Sequence, residues 1–356
     1  MIAKDLKELL VVFDNALGIS GHESDISVKL KEEMGGCYDD WYEDALGNQI
    51  FFRKGKKDTR VLLAAHIDEL GFMVSFIEDD GTVRFIPVGY HDDRMVIDQD
   101  LMIHTYKDGV SGVTSGKPSD LMKEEEKDKV IKIADLFIDV GTQSKKETEK
   151  LGVKIGDFVS FDRTGRFLNE SSVYTGKSVD DRSGVAVMVE VMRRLKKEKA
   201  DNVCVYALGS VQEELGIRGA GVAAHRIKPD VALAIDVTLA GGVPGIEPRQ
   251  IPVRLGGGAA IKLFDWAPGA GGIGNAVPKR LTDALIKTAE KNNIKYQREV
   301  LMEVGTDAWA ISLAGDGAMA GAVSIPSRYV HSAVGLVDLK DMEACVELIV
   351  HYIKSL

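Results

Sequence analysis

Residues 61–69 read VLLAAHIDE, so five apolar residues are followed directly by polar ones. An apolar run of this length, without polar alternation, is typical of a strand that is buried on both faces. His66 and Asp68 come at its carboxyl end, where the chain leaves the core. The stretch therefore predicts a central strand of an α/β sheet that carries polar side chains at its end.

The same pattern recurs along the chain, where it alternates with helical periodicity. Apolar runs lie at 203–211, 231–237 and 320–325. Helical patterns lie at about 4–17, 181–198, 278–293 and 338–354, and two more end near residues 34 and 226. Strands separated by helices of this length favour a mostly parallel sheet flanked by helices. The predicted fold class is therefore α/β.

Residues 71–165 follow a different pattern, in which short β-like runs are joined by turns. The runs at 74–77 and 83–86, for example, flank the turn sequence EDDG at 78–81. Such a stretch is typical of a small β-rich unit. We predict a β-rich domain at 71–165, inserted into a larger domain that is built from residues 1–70 and 166–356.

Composition excludes several classes of function. The chain has 356 residues, of which 45% are hydrophobic and 28% are charged, and this is typical of a globular protein. Its net charge of −10 repels phosphate backbones, so we expect no nucleic-acid partner. No apolar run reaches the length of a membrane span, and the first twenty residues have an amphipathic pattern instead of a signal peptide. We therefore expect a cytoplasmic protein without a membrane partner.

Acids and histidines stand at the ends of three apolar runs. His66 and Asp68 follow the first run, Glu213 and Glu214 follow the second, and Asp236 follows residues 231–235. In an open parallel sheet, the crevice at the carboxyl ends of the strands is the expected ligand site. We therefore expect these side chains to meet in one place.

Two further residues extend this set. Asp180 stands just before a predicted helix, and His331 lies in a loop after a predicted strand. Taken alone, Asp180 could cap its helix, and His331 could be an ordinary surface residue. Several carboxylates at the ends of buried strands are costly, however, unless a cation neutralises them. Two imidazoles and three carboxylates suit a pair of divalent ions with one bridging carboxylate.

Six segments carry a more specific resemblance. They are AHIDELGF at 65–72, VDDRSG at 179–184, VQEELGIRGA at 211–220, IDVT at 235–238, GTDA at 305–308 and RYVHS at 328–332. In this order and spacing the chain resembles the M42 family of tetrahedral aminopeptidases. The resemblance implies a zinc-exopeptidase α/β fold in which the inserted domain is barrel-like and serves oligomerisation and access to the site. It also implies a homo-oligomer, namely a dodecamer, that acts on peptides.

The resemblance further implies a role for each site residue. It implies two divalent ions with His66, Asp180, Glu214, Asp236 and His331 as ligands. Such a set accepts Zn²⁺, Co²⁺ or Mn²⁺, of which we expect Zn²⁺ or Co²⁺. Asp180 would bridge the ions, Glu213 would act as general base, and Asp68 would orient His66. The peptide bond between Asp180 and Asp181 would be cis. The expected reaction is the metal-dependent removal of residues from the free amino terminus of a peptide.

Two other functions remain open. A co-catalytic metal deacylase of N-acyl amino acids would use the same chemistry but would require an acyl cap in place of a free amine. A non-enzymatic metal-binding assembly protein would keep the ligands without turnover. A serine or cysteine nucleophile is disfavoured, because the chain has no G-x-S-x-G elbow and Cys204 lies in an apolar run.

Side-chain preference is not predicted. Lys262, Arg249 and Arg298 could favour acidic substrate residues or could equally lie on the surface. Family relatives commonly carry an acid after the segment 236–238, where this chain reads AGGVPG at 240–245. This loop is expected to line the substrate pocket, so the difference would affect specificity and not the ligands.

Overall fold

The computed structural model describes residues 2–356, and its strands form a large mixed sheet and a barrel. The strands are β1 (Asp40–Glu43), β2 (Gln49–Arg53), β3 (Lys57–His66), β4 (Gly71–Ile77), β5 (Val83–Val88), β6 (Gln99–His104), β7 (Gly109–Thr114), β8 (Ile138–Asp139), β9 (Phe158–Phe161), β10 (Arg166–Phe167), β11 (Val173–Gly176), β12 (Val203–Ser210), β13 (Val231–Leu239), β14 (Ala259–Ala267), β15 (Ile273–Ala276), β16 (Tyr296–Met302), β17 (Met319–Arg328) and β18 (Gly335–Asp338).

The described residues also form α-helices, most of which pack on the two faces of the large sheet. They are α1 (Ile2–Asp14), α2 (Ser24–Glu33), α3 (Glu124–Lys127), α4 (Lys145–Leu151), α5 (Val179–Lys197), α6 (Gly219–Ile227), α7 (Lys279–Lys291), α8 (Asp307–Ser312) and α9 (Leu339–Ser355). Within the described residues, no helix has both the length and the apolar composition needed to cross a membrane.

The large sheet is parallel at its centre and antiparallel at its margins. Its order is β1-β2-β12-β3-β13-β17-β18-β11-β10, and β14 to β16 extend it from β17. The central strands β12, β3, β13 and β17 are parallel, whereas β1–β2, β2–β12 and β17–β18 pair antiparallel. The α/β class is confirmed, but the prediction of a mostly parallel sheet is wrong outside the centre. Short connections such as those of β1–β2 and β17–β18 permit only antiparallel pairing, since parallel neighbours need a long crossover.

Strand β3 shows why its sequence is continuously apolar. Val61, Leu63 and Ala65 pack into the core that contains α1, α5 and α9, while Leu62 and Ala64 pack against α6 and α8. Because side chains of a strand alternate between its two faces, both faces of β3 are buried. This packing fixes the carboxyl end of β3, and with it His66, at the edge of the core.

The strands β4, β5, β8, β7, β6 and β9 close into a barrel in that order. A separate apolar cluster fills it, with Phe72, Val83, Leu101 and Val159 among its buried members. The chain enters β4 at Gly71, only five residues after His66. The barrel is therefore tied closely to the end of β3.

Most predicted elements are present, with their ends shifted by a few residues. The predicted strands correspond to β3, β12, β13 and β17, and the predicted helices to α1, α2, α5, α6, α7 and α9. The strands β1, β2 and β14 to β16 were not predicted. The prediction that Asp236 follows its strand is wrong. Asp236 lies inside β13 and pairs with Ser324 of β17.

Candidate metal centre

The end of β3 brings His66 to two carboxylates from distant parts of the chain. Its Nε2 atom lies 3.1 Å from Asp180 Oδ1 and 3.9 Å from Asp236 Oδ1. One ligand atom from each of these three residues lies within 4.8 Å of the others. His66, Asp180 and Asp236 could therefore hold one ion.

A second group shares Asp180 with the first. His331 Nε2 lies 3.4 Å from Asp180 Oδ2 and 3.6 Å from Glu214 Oε2, and one atom of each residue again lies within 4.8 Å of the others. Asp180 thus presents Oδ1 to one group and Oδ2 to the other. The structure brings together all five residues that were predicted as ligands, and Asp180 is common to both groups.

The backbone around Asp180 departs from a regular helix. Asp180 and Asp181 have non-helical dihedral angles inside the bounds of α5, and the peptide bond between them is cis, as the resemblance implies. Asp181 is buried, and its Oδ1 accepts a hydrogen bond from the backbone N–H of Gly184 at 3.0 Å. Asp181 is thereby turned toward the helix, while Asp180 faces the two histidines.

Asp68 has a wider structural role than the sequence indicated. His66 Nδ1 lies 3.5 Å from Asp68 Oδ1 but only 3.1 Å from the main-chain oxygen of Asp68. The carboxylate also accepts hydrogen bonds from the backbone N–H groups of Glu213 and Glu214, at 3.0 and 3.1 Å, and from Ser20 Oγ at 2.6 Å. Asp68 therefore fixes the segment that carries Glu213 and Glu214 as well as contacting His66.

The electrostatics of the centre reflect an excess of acids. Burial and the neighbouring carboxylate of Asp180 raise the pKa of Asp236 to about 8. Burial also raises the pKa of Glu214 to about 7, against the lowering effect of His331. Burial alone would lower the pKa of His331, but Glu214 and Asp180 raise it to about 9. The carboxylates thus repel one another and favour positive charge on the imidazole.

The donor set fits a divalent cation. Glu214 Oε1 is buried and has no hydrogen-bond partner within the described part of the chain. Imidazole nitrogens and carboxylate oxygens are the ligands that zinc and similar ions accept. A cation in each group would offset the charge of the acids, and the unpartnered oxygen of Glu214 is available as a ligand atom.

Glu213 lies beside the ligands without belonging to either group. Burial raises the pKa of its carboxyl well above the ordinary value, and the charges of Asp236, Asp307 and Glu214 add to this effect, while His66 opposes it. A carboxyl group beside a metal site that is not itself a ligand can accept and return a proton during catalysis. The position of Glu213 is compatible with the predicted role of a general base.

Two residues near the centre were given no role from the sequence. Asp307 is buried at the start of α8, where one of its oxygens accepts a hydrogen bond from Ser210 Oγ and the other has no partner among residues 2–356. Tyr90 follows β5, and its ring centroid lies 6.1 Å from that of His331. The GTDA segment could have indicated Asp307, but no sequence signal indicates Tyr90.

A small cavity opens onto the centre. Its lining consists of Leu70, Lys177, Val179, Asp180, Glu214, Tyr329, Val330, His331, Ser332 and Gly335. The lining combines three of the five predicted ligands, namely Asp180, Glu214 and His331, with apolar residues and one lysine. His66 and Asp236 do not line it, so the cavity adjoins the second ligand group.

Comparisons with known proteins bear directly on this centre. The profile of the M42 glutamyl aminopeptidase family matches residues 47–348. The lysyl aminopeptidase of Pyrococcus furiosus is 33% identical over 348 residues, which cover 96% of this chain and 94% of that protein.

Two solved structures extend the comparison. An aminopeptidase from the archaeon Desulfurococcus kamchatkensis superimposes with a TM-score of 0.93 at 38% identity, over 100% of this chain and 96% of the other. The TET1 peptidase of Pyrococcus horikoshii, described as assembling into a tetrahedron or a large octahedral shell, gives a TM-score of 0.85 at 33% identity, over 97% and 98% of the two chains. The resemblance found in the sequence is confirmed. This chain belongs to the M42 family and is a hydrolase of the exopeptidase class.

Proposed function

We propose that the protein is a two-metal aminopeptidase that removes residues one at a time from peptides with a free amino terminus. The observation that carries this proposal is the position of Asp180, which presents a separate oxygen to each of two His/carboxylate groups. One ion would be held by His66, Asp180 and Asp236, and the other by Asp180, Glu214 and His331. Zn²⁺ and Co²⁺ are the ions we propose for them.

Two such ions would activate a water and polarise the scissile carbonyl. Glu213, which belongs to neither ligand group, would accept a proton from the attacking water. The same carboxyl would return this proton to the amide nitrogen as the peptide bond breaks. Asp68 supports both groups, because it contacts His66 and holds the backbone of Glu213 and Glu214.

The form of the substrate's amino terminus bears on its binding. A free amino group can bind an ion or pair with an acidic side chain, whereas an acetylated terminus has neither a basic nitrogen nor a positive charge. The substrate amine would therefore remain close to a ligand group or to an acidic side chain. Peptides with a blocked terminus should bind poorly.

We propose that residues 71–165 form an inserted domain that serves oligomerisation and access to the site, and that residues 1–70 and 166–356 form the catalytic domain. The closed barrel and its separate apolar cluster support this division.

The region 71–165 also exposes large apolar side chains, which favours an interface; they are Phe76, Ile86, Tyr106 and Val113. We propose a dodecamer, as the family resemblance implies, and the assembly of the P. horikoshii peptidase into a tetrahedron or a large octahedral shell supports a homo-oligomer. The cytoplasmic location stays a prediction.

A mixed peptide library tests the proposed activity. Half of the peptides carry a free amino terminus and half carry an acetylated one, and mass spectrometry follows them with Zn²⁺-loaded, Co²⁺-loaded and chelated protein. Stepwise loss of single residues from the free peptides alone, abolished by the chelator, is the expected result. Removal of the acetyl cap would instead indicate a deacylase, and internal cleavage an endopeptidase. Unchanged peptides would leave a non-enzymatic metal-binding protein.

A further inference from the structure

A buried cluster of four charged residues lies beside the candidate metal centre. Asp14, Glu69, Lys177 and Arg182 are its members, and each side chain is at most 8% exposed. Two acids are thus balanced by two bases. We call this group the Glu69 cluster. None of its members belongs to the two ligand groups.

Glu69 contacts residues on both sides of Asp180. Its Oε2 accepts hydrogen bonds from Lys177 Nζ and from Ser178 Oγ, the latter at 2.6 Å. Its Oε1 lies 3.5 Å from Nη2 of Arg182. Lys177 and Ser178 precede Asp180 in the chain, and Arg182 follows it. A single carboxylate therefore holds both ends of the segment that carries the shared ligand.

Glu69 is itself held firmly against the connection between α1 and α2. Its backbone N–H donates to the main-chain oxygen of Gly18 at 2.8 Å, and its Oε1 accepts from the N–H of Gly18 at 3.1 Å. Arg182 Nη1 donates to the main-chain oxygen of Phe13 at 3.2 Å. The residues that hold segment 177–182 are thus anchored by hydrogen bonds to the backbone outside the metal centre.

Asp14 ties the same segment from the other side. Its Oδ1 accepts from the backbone N–H of Ser178 at 2.9 Å, and its Oδ2 accepts from the hydroxyl of Tyr174 at 2.9 Å. The backbone just before Asp180 therefore has little freedom to move. A bridging carboxylate needs this order, because a rotation that favours one ion removes an oxygen from the other.

We propose that Glu69 is a positioning residue: by holding both ends of segment 177–182, it fixes the Asp180 carboxylate between the two ligand groups. The inference rests on the proposed two-metal function and extends it to a residue that touches neither ligand group. Groups that orient metal ligands typically change metal affinity 10- to 100-fold when they are replaced. Glu69→Gln should therefore weaken metal binding about 10- to 100-fold.

The chain offers a matched control at the far end of the same helix. Glu190 of α5 is buried, and its Oε1 accepts from Arg194 Nε at 3.0 Å. It lies ten residues after Asp180, which corresponds to about 15 Å along a helix. Glu190→Gln makes the same chemical change in a buried ion pair. It should lower stability without changing metal affinity.

The experiment compares wild type, Glu69→Gln, Glu69→Asp and Glu190→Gln as full-length proteins. Zn²⁺ affinity is measured by competition with a chromophoric chelator, and the stability of the metal-free proteins is measured by urea unfolding. We expect Glu69→Gln to bind Zn²⁺ about 10- to 100-fold more weakly than Glu190→Gln, which should match wild type. Glu69→Asp keeps the charge but is one methylene shorter, and it should give an intermediate affinity.

Wild-type Zn²⁺ affinity in Glu69→Gln, together with a loss of stability equal to that of Glu190→Gln, would show a purely structural role and overturn the inference. If Glu69→Gln fails to fold, Glu69→Asp tests the inference in its place. Wild-type Zn²⁺ affinity in Glu69→Asp would then overturn the positioning role of Glu69. A wild-type protein without aminopeptidase activity would reject the proposed function alone. The difference in Zn²⁺ affinity between the Glu69 and Glu190 variants would still test the positioning role.

Discussion

Two buried groups of acidic residues in this protein differ in whether the chain supplies a cation that pairs with them. In the first, which we call the Lys262 cluster, Lys262 Nζ lies 2.8 Å from Glu299 Oε1 and 3.7 Å from Asp265 Oδ2. Thr238 Oγ1 also donates to Glu299 Oε1 at 2.7 Å. In the second, the candidate metal centre, acids outnumber histidines and no lysine or arginine pairs with them within the described residues. The comparison teaches that an acid cluster without its own cation indicates an external one.

The Lys262 cluster also corrects an interpretation of the sequence. Lys262 was considered either as a residue that selects acidic substrates or as a surface residue. It is only 2% exposed and is paired with Glu299, so the surface alternative is wrong. Its charge is already satisfied inside the protein, which argues against the selection of acidic substrates. Arg249 and Arg298 are exposed.

The largest expected effect comes from removing the shared ligand. Asp180→Ala deletes the oxygens that face both groups, so it should abolish metal binding and reduce peptidase activity to the level of the chelated wild type. Metal content by elemental mass spectrometry and peptide hydrolysis measure this effect. Asp265→Ala is the control, since Asp265 is also a largely buried aspartate, 2% exposed against 14% for the Asp180 side chain, but belongs to the Lys262 cluster. Normal metal content in Asp180→Ala would contradict the assignment of the centre.

Glu213→Gln separates catalysis from metal binding. The amide cannot accept a proton from the attacking water, so turnover should fall about 10²- to 10⁴-fold, the usual contribution of a general base. Metal content should remain that of the wild type, because Glu213 belongs to neither ligand group. Steady-state kinetics together with metal analysis test this prediction. A variant that hydrolyses peptides normally would show that Glu213 is not the base.

Lys262→Met removes the cation of the Lys262 cluster. Removing one partner of a buried pair leaves Glu299 charged and unpaired, which should lower the free energy of unfolding by about 3–5 kcal/mol. Urea unfolding of the metal-free protein measures this loss. The double variant Lys262→Met/Glu299→Gln should recover part of the stability, since the uncompensated charge is removed. An unchanged stability accompanied by an altered substrate preference would show instead that Lys262 contacts the substrate.

His91 adds a third case, in which a buried ionisable group stays neutral. Its Nε2 lies 2.8 Å from the main-chain oxygen of Gly71, its ring stacks on Phe72, and burial lowers its pKa to about 4. The folded state therefore binds fewer protons than the unfolded state between about pH 4 and the ordinary value of 6.5. Neutral His91 therefore contributes to the free energy of unfolding in full above pH 6.5, and this contribution is lost as the pH falls toward 4.

His91→Gln removes this titration. The stability advantage of wild type over the variant should shrink by at most about 3 kcal/mol as the pH falls through this window, because one pKa unit corresponds to about 1.4 kcal/mol. Urea unfolding of both proteins in the presence of a chelator, at several pH values, measures the difference. A constant difference would show that His91 does not titrate differently in the folded and unfolded states.

The sequence predicted the centre of the fold better than its periphery. Continuous apolar runs such as 61–65 report burial on two faces, and β3 has this environment. Strand β14 was missed because Lys262 and Asp265 interrupt its apolar pattern, although both are buried through pairing with each other and with Glu299. Local composition cannot reveal such pairing, since Glu299 lies on β16 and meets Lys262 only after the strands have assembled.

Local sequence was sufficient for the α/β class, the family and the identity of the residues that gather at the centre. These properties follow from short apolar runs, from the acids and histidines near their ends, and from the order of six motifs. The tertiary structure alone revealed that Asp180 divides its two oxygens between two groups, that Asp68 holds the backbone of Glu213, and that Glu69 holds both flanks of Asp180. The reason is that these contacts join residues far apart in the chain, such as His66 and Asp180 at 114 positions, and side-chain orientation is settled only when the strands pack.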